Sequence, residues 1–407
     1  SPRMGKDQAA INLVVESKRK FGIGSVVLDV IDERKGHRGM GDAIRDHLPP
    51  EDVVDIDTGN FDYAVYFGLQ GLSKSIGNMR IAAGRIASEI VNFLIADKDM
   101  DNYRTREYLR ELAKATFGDI YAMKRFLTDA KYREYLLTEL KKLGLSSTLL
   151  IDYHNMTGKQ VGKQDQIAAP ILVRLNELLS DEYLKPMFCQ TPNMKFSFEQ
   201  LMKEGKVVII RIPNVKVSEL ATKTLMHWLT LVIFSTKMLM NGEGKPTWLI
   251  LNEPHQYLTS GFEHLAKRLL VEGPKKHIAP VFIIHNLKQL QSISSGFVDI
   301  LMSSSLSWHI FKNTNINVYK TLKEYLEPTF TPEVAMSGTK AFHYIASWLD
   351  NAGEYQEPFM MKAADMVERR YETLDNSFLT QRHIRMYGRP VKDILEELEG
   401  YQKMEGL

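Results

Sequence analysis

Gly5-Lys6-Asp7-Gln8 opens an amphipathic stretch whose apolar face is Ile11, Val14 and Val15. Gly-Lys at a helix start suits phosphate. Glycine lets backbone N–H groups approach phosphate oxygens, lysine reaches terminal phosphates, and the helix N-terminus faces the anion with partial positive charge. In the pattern G-x-x-x-x-G-K-[ST], the first glycine would fall just before Ser1, and Asp7 stands where Ser or Thr holds magnesium. Arg3, Met4, Gly5, Lys6, Asp7 and Gln8 are therefore the expected nucleotide-binding residues.

A second group completes that chemistry. Trp248-Leu249-Ile250-Leu251-Asn252-Glu253 reads as a buried strand with a polar tip. Nucleotide-hydrolysing loops of this kind pair with a strand ending in Asp-Glu, where Asp supports magnesium and Glu polarises the attacking water. Asn252 replaces the Asp and Glu253 is in place. The two departures offset each other: Asp7 brings a carboxylate to the metal and Asn252 removes one, so the formal charge around magnesium is unchanged. Magnesium prefers oxygen ligands and would accept Asp7. The competing reading is a decayed site, which explains neither the retained Glu253 nor the gained Asp7. A third group, His285-Asn286, follows the next apolar strand. Asn286 is the expected γ-phosphate sensor, and His285 reads as a turn residue.

The elements that would carry these residues alternate. Apolar strands are expected at 25–29, 53–57, 206–213, 247–252, 279–284 and 306–311, with further edge strands at 341–345 and 359–361. Helices separate them, at 42–47 and 218–240 among others, which is the signature of a parallel α/β sheet. Gly22 and Gly24 mark the end of the first helix. From about residue 74 to 184 helical periodicity replaces strands, and the loop 157–163 is basic. The expected organisation is a first core segment (1–73), an inserted all-α domain (74–195), a second core segment (196–365) and a C-terminal helical tail (366–407).

Composition bounds the rest. The 407 residues carry 52 Lys+Arg against 50 Asp+Glu, a net charge of +2, so any polyanionic partner must be held by local loops. One cysteine excludes a disulfide framework and a multi-cysteine metal site. The most apolar run, 225–234, is about half the roughly 20 residues a bilayer helix needs. No signal peptide is seen, and the opening residues do not read as a natural start.

The order of these pieces resembles the HerA/FtsK superfamily of P-loop motor ATPases, and within it the conjugation and type IV secretion ATPases and TraG-type coupling proteins. The likeness runs from residue 1 to about 359. Residues 1–7 look like the Walker A loop, 206–213 with the long helix and 249–253 like the strand–helix–Walker B unit, and 272–276 like the family's Glu-x-Arg-Lys stretch with Pro274 in place of Arg. His285-Asn286 occupies the place of Thr-Gln, and since Leu287 has no amide, the sensor role falls to Asn286. The resemblance implies an α/β fold: a RecA-like (ASCE) P-loop ATPase core with a mostly parallel central sheet and an inserted all-α domain. It implies ATP and Mg2+ as ligands and a homo-hexameric ring with ATP between subunits. A basic residue from the neighbour would complete each site, with Lys275, Lys276 and Lys312 as candidates. DNA would thread the pore, where a few side chains repeated six times can grip phosphates; the loop 34–39 is a candidate contact. The setting implied is the cytoplasm, at the inner face of the membrane beside a membrane-bound secretion machinery. A genome-packaging or HerA-type DNA-processing motor, or a ring subunit that has lost hydrolysis, would use the same fold.

Overall fold

The computed structural model describes residues 5–30, 39–69, 71, 76–95, 103–191, 193, 195–285, 287–305, 307–350 and 352–405. Helix α1 (Lys6–Phe21) turns at Gly22 into strand β1 (Gly24–Val30). Gly22 takes φ +63°, the left-handed conformation that closes a helix, and its N–H bonds back to the Lys18 carbonyl at 2.9 Å. This reversal makes α1 antiparallel to β1 and brings the Gly5-Lys6 end of the helix to the C-terminal tip of the strand. Helix α2 (Met40–Arg45), β2 (Val53–Asp57) and β3 (Tyr63–Val65) follow.

Between β3 and β4 (Val207–Ile212) the described residues form helices and turns and no strand, from Met79–Ile95 through Tyr103–Ala115 to Phe198–Lys203. The 157–163 segment, expected as a loop, is largely helical: a short turn at Gly158–Gln160 leads into the helix Val161–Leu179. The long helix Glu219–Leu239 is capped by the Ser218 side chain, which accepts from the Ala221 N–H. Then come β5 (Thr247–Asn252) and β6 (Ile278–Ile283).

Five strands form one parallel sheet in the order β2-β4-β1-β5-β6. β1 and β4 are buried along their whole length, which is why they read as mainly apolar runs, broken only by Ser25, Asp29 and Arg211. Their side chains alternate between two cores. Val26, Leu28, Val208, Ile210, Leu249 and Leu251 face the helical insertion and the long helix. Val27, Val207, Ile209 and Ile250 face Val14 and Val15 of α1 and Ile44 of α2. Among the described residues no helix is long and apolar enough to cross a membrane.

Neither the strand expected at 306–311 nor the edge strands expected at 341–345 and 359–361 extend this sheet. β7 (Ser307–Phe311), β8 (His343–Trp348) and β9 (Phe359–Lys362) form a separate three-stranded antiparallel sheet. They are partly exposed rather than buried on both faces, so they pair with one another and not with the buried parallel strands. The C-terminal segment closes back on the core. Helix Phe378–Tyr387 lies along edge strand β2, where His383 Nδ1 accepts the Asp55 N–H at 3.0 Å, and β10 (Gly388–Pro390) pairs with β3. A covered edge no longer offers its free backbone groups to another chain.

Candidate functional site

The tips of β5, β6 and α1 converge. Gly5 caps α1 with φ +99°, a left-handed conformation only glycine takes cheaply, and its carbonyl accepts the Ala9 N–H at 2.9 Å. A Cβ here would stand 3.1 Å from the Phe342 ring and 3.4 Å from the Phe311 ring. The antiparallel sheet therefore flanks the glycine turn, a placement the sequence did not suggest. Lys6 starts the first helical turn. Arg3 and Met4 lie outside the described residues.

Glu253 directly follows β5. Its backbone is also left-handed (φ 51°, ψ 58°), strain of about 1 kcal/mol or more for a non-glycine residue, and Pro254 after it disfavours the helical alternative. The Glu253 N–H is held by the Ile283 carbonyl at the end of β6, 3.1 Å away. Such strain is found where a side chain must be aimed.

His285 joins the two segments. Lys6 Nζ lies 2.9 Å from His285 Nδ1, and His285 Nε2 lies 2.6 Å from Glu253 Oε1. An ammonium can only donate, so Nδ1 is the acceptor and Nε2 carries the proton that is donated to Glu253. Glu253 Oε2 accepts from Gln256, whose own Oε1 accepts from Asn214 Nδ2 at 2.8 Å. One hydrogen-bonded chain thus runs Lys6–His285–Glu253–Gln256–Asn214, across the tips of α1, β6, β5 and β4.

The electrostatics follow from this chain. The hydrogen bond from His285 holds the Glu253 carboxyl below the usual carboxylate range, with His255 and Gln256 adding to it, so Glu253 is an ionised acceptor. Burial pulls the Lys6 ammonium below its ordinary value, opposed by the charges of Asp7 and Glu253. Burial also lowers the His255 imidazole.

Asp29, read in the sequence only as a strand end, belongs to this region. It is the penultimate residue of β1, beside Arg211 of β4, and the neighbouring register Leu28–Leu251 sets it next to Asn252. Its carboxylate accepts the Gly41 N–H at 3.1 Å. Burial pushes this carboxyl up, and the charges of Asp42 and Asp7 add to the shift.

Two orphaned atoms test whether nucleotide and magnesium fit. Asn252 Oδ1 and Gln8 Nε2 are both buried without a hydrogen-bond partner. A buried unpaired polar atom costs about 1–3 kcal/mol. An oxygen suits a hard cation and an N–H suits a phosphate oxygen. Among the described residues no group of three or more His, Cys, Asp or Glu side chains could hold a metal. Magnesium that completes its shell with phosphate and water needs only one or two protein oxygens. The residues present fit the pair.

Other expected residues fall elsewhere. Asn286 and the 34–38 part of the basic loop lie outside the described residues. Lys275 and Lys276 precede β6, at the opposite end of the sheet from Glu253, and Lys276 bonds Asn241. Lys312 donates to the Thr339 carbonyl at 2.9 Å. His285, Gln256 and Asn214 carry no sequence signal beyond their places just after strands.

No protein-family model and no curated protein matches the chain. Solved structures do. The unbound bacterial conjugative coupling protein TrwB matches with a TM-score of 0.57 at 12% identity, covering 92% of this chain and 86% of that one. The plasmid coupling protein TrwB in complex with ADP and Mg2+ matches at 0.57 and 12%, covering 89% and 84%. TrwB in complex with the non-hydrolysable ATP analogue ADPNP gives 0.58 and 14%, covering 89% and 83%. With its parallel sheet, its helical insertion and Lys6 brought to the strand tips beside Glu253, the chain has the RecA-like P-loop ATPase fold of the conjugative coupling proteins.

Proposed function

We propose that this chain is an ATP-hydrolysing motor subunit of a conjugation or type IV secretion apparatus, working as a ring, usually of six, that moves DNA through its pore. The observation that carries the reading is the shared grip of Lys6 and Glu253 on His285, which brings a phosphate-binding turn and an ionised general base to one point. In this reading Gly5 and Gln8 offer N–H groups to the phosphates, and Lys6 leaves His285 to hold the terminal phosphates. Asp7 and Asn252 hold magnesium, which when bound neutralises charge on the phosphates. Glu253 accepts the proton of the attacking water, His285 keeps Glu253 ionised and oriented, and Asn286 senses the γ-phosphate. The left-handed turn at Glu253 fixes the base before substrate arrives, so little reorganisation is needed at the moment of reaction. The likeness to a coupling protein solved with ADP, Mg2+ and an ATP analogue supports nucleotide as the ligand. Lys275, Lys276 or Lys312 of a neighbouring subunit would complete the site.

The test is phosphate release from ATP with and without single-stranded DNA. The motor reading expects a rate that rises with DNA; a rate at buffer background under both conditions overturns it.

The carboxylate exchange has its own test. Asp7→Ser is expected to weaken magnesium-dependent nucleotide binding about tenfold or more, which is about 1.4 kcal/mol. Adding Asn252→Asp returns the usual ligand arrangement and is expected to restore binding in a titration with a fluorescent nucleotide. Absence of rescue would count against the exchange.

A further inference from the structure

A cleft of about 270 Å³ opens where the helical insertion meets the core, between helices Met79–Ile95, Tyr103–Ala115 and Ser260–Glu272. Its charged and polar lining includes Glu89, Arg106, Arg110, His227, His264 and Arg268. It lies against the core that holds Leu94, Leu231 and Leu265, whereas α1 packs on the other face of the sheet. None of its lining residues belongs to the Lys6–Glu253 chain.

Among the described residues the charges in this cleft do not balance. Among the described residues Glu89 is the one acidic residue of its lining; it is buried to 1% exposure and already neutralised twice, by Arg85 at 2.7 Å and by Arg268 at 3.4 Å, the latter also 3.8 Å from Glu272. Arg106 and Arg110 are exposed and have no ion-pair or hydrogen-bond partner among the described residues. They sit four apart on one helix, so they project along the same face and repel each other. A helix that keeps two like charges side by side, facing a concave surface whose only carboxylate among the described residues is spent, is arranged for an anion. Guanidinium groups bind phosphate oxygens through paired N–H donors.

We propose that this cleft binds a phosphate group, held by Arg106 and Arg110 on one wall and Arg268 and His264 on the other. The bound phosphate bridges the helical insertion to helix Ser260–Glu272, which begins shortly after Glu253 in the chain. Occupancy of the cleft therefore ties the insertion to the segment that carries the general base. The phosphate comes from a free anion or from a polynucleotide backbone, and the probes below separate the two.

The experiment uses the full chain carrying Lys6→Ala, which weakens phosphate binding at the α1 turn, and compares it with the same chain carrying Arg106→Gln and Arg110→Gln as well. Both arginines are exposed, so the fold is expected to persist, and the thermal midpoint checks this. Pyrophosphate binding is followed by calorimetry, and a labelled single-stranded oligonucleotide by fluorescence anisotropy across a salt series. The proposal expects at least about a tenfold loss of affinity for one probe. For the oligonucleotide, the log–log salt slope should fall by about 1.4, two contacts at about 0.7 each. Loss confined to pyrophosphate assigns a free anion, and loss with the oligonucleotide assigns the backbone. Equal affinities and equal slopes for both probes in the two chains would overturn the proposal.

Discussion

Glu253→Gln is expected to lower the rate of phosphate release by about 10²- to 10⁴-fold, the range a positioned general base supplies, while nucleotide binding persists. The substitution is close to isosteric. The amide oxygen can still accept from His285 Nε2, 2.6 Å from the present carboxylate oxygen. The amide nitrogen faces Gln256, whose own amide can turn to offer its oxygen if Asn214 turns with it to present its unpartnered Oδ1. What disappears is the basic lone pair that the His285 hydrogen bond keeps ionised. The variant therefore separates chemistry from positioning. Phosphate release gives the rate and fluorescent nucleotide gives the affinity. If native chain and variant release phosphate at the same rate, Glu253 is not the base.

Arg211→Ala is expected to destabilise the folded chain by about 3–5 kcal/mol, the cost of breaking a buried ion pair by removing one partner. Asp55 is fully buried on β2, and Arg211 at the tip of β4 donates to both of its oxygens, at 2.8 and 2.9 Å. Arg211 also reaches Asp42 at 2.8 Å. Arg45 shares both carboxylates, at 3.3 Å to Asp55 and 3.0 Å to Asp42, while bonding Asp46. Without Arg211, Asp55 on edge strand β2 and Asp42 on α2 compete for the one guanidinium of Arg45, which is already committed to Asp46. The change also reaches the candidate site, because Asn214, which orders Gln256 and through it Glu253, lies three residues beyond Arg211. Denaturant titration gives the stability difference. A loss below about 1 kcal/mol would mean that the network is solvated in practice and contributes as little as a surface pair.

The two predictions differ in how far they could be read from the chain. Glu253 and Lys6 were legible because their chemistry needs a local pattern: a glycine and lysine at a helix start, an acid after an apolar strand. The parallel sheet was legible for a related reason. Strands buried on both faces read as near-continuous apolar runs, and 207–210 and 248–251 do. The antiparallel sheet was misplaced because its strands are partly exposed and carry no comparable signal, so their partners could not be inferred. β3 and β10, three residues each, pair across more than 300 positions and left no local trace. His285 was read as a turn residue because its partner Lys6 is 279 positions away and nothing near it in sequence demands an acceptor. Asp29 looked like an ordinary strand end; burial and the charges around it become visible only when β1 is set between β4 and β5.

The most direct measurement is a structure of the chain with a non-hydrolysable ATP analogue and Mg2+. The account predicts the triphosphate at the α1 turn, Lys6 Nζ moved from His285 Nδ1 to the phosphate oxygens, and the terminal phosphate lying between Lys6 and Glu253. An analogue bound elsewhere, with Lys6 still 2.9 Å from His285 at saturation, would contradict it.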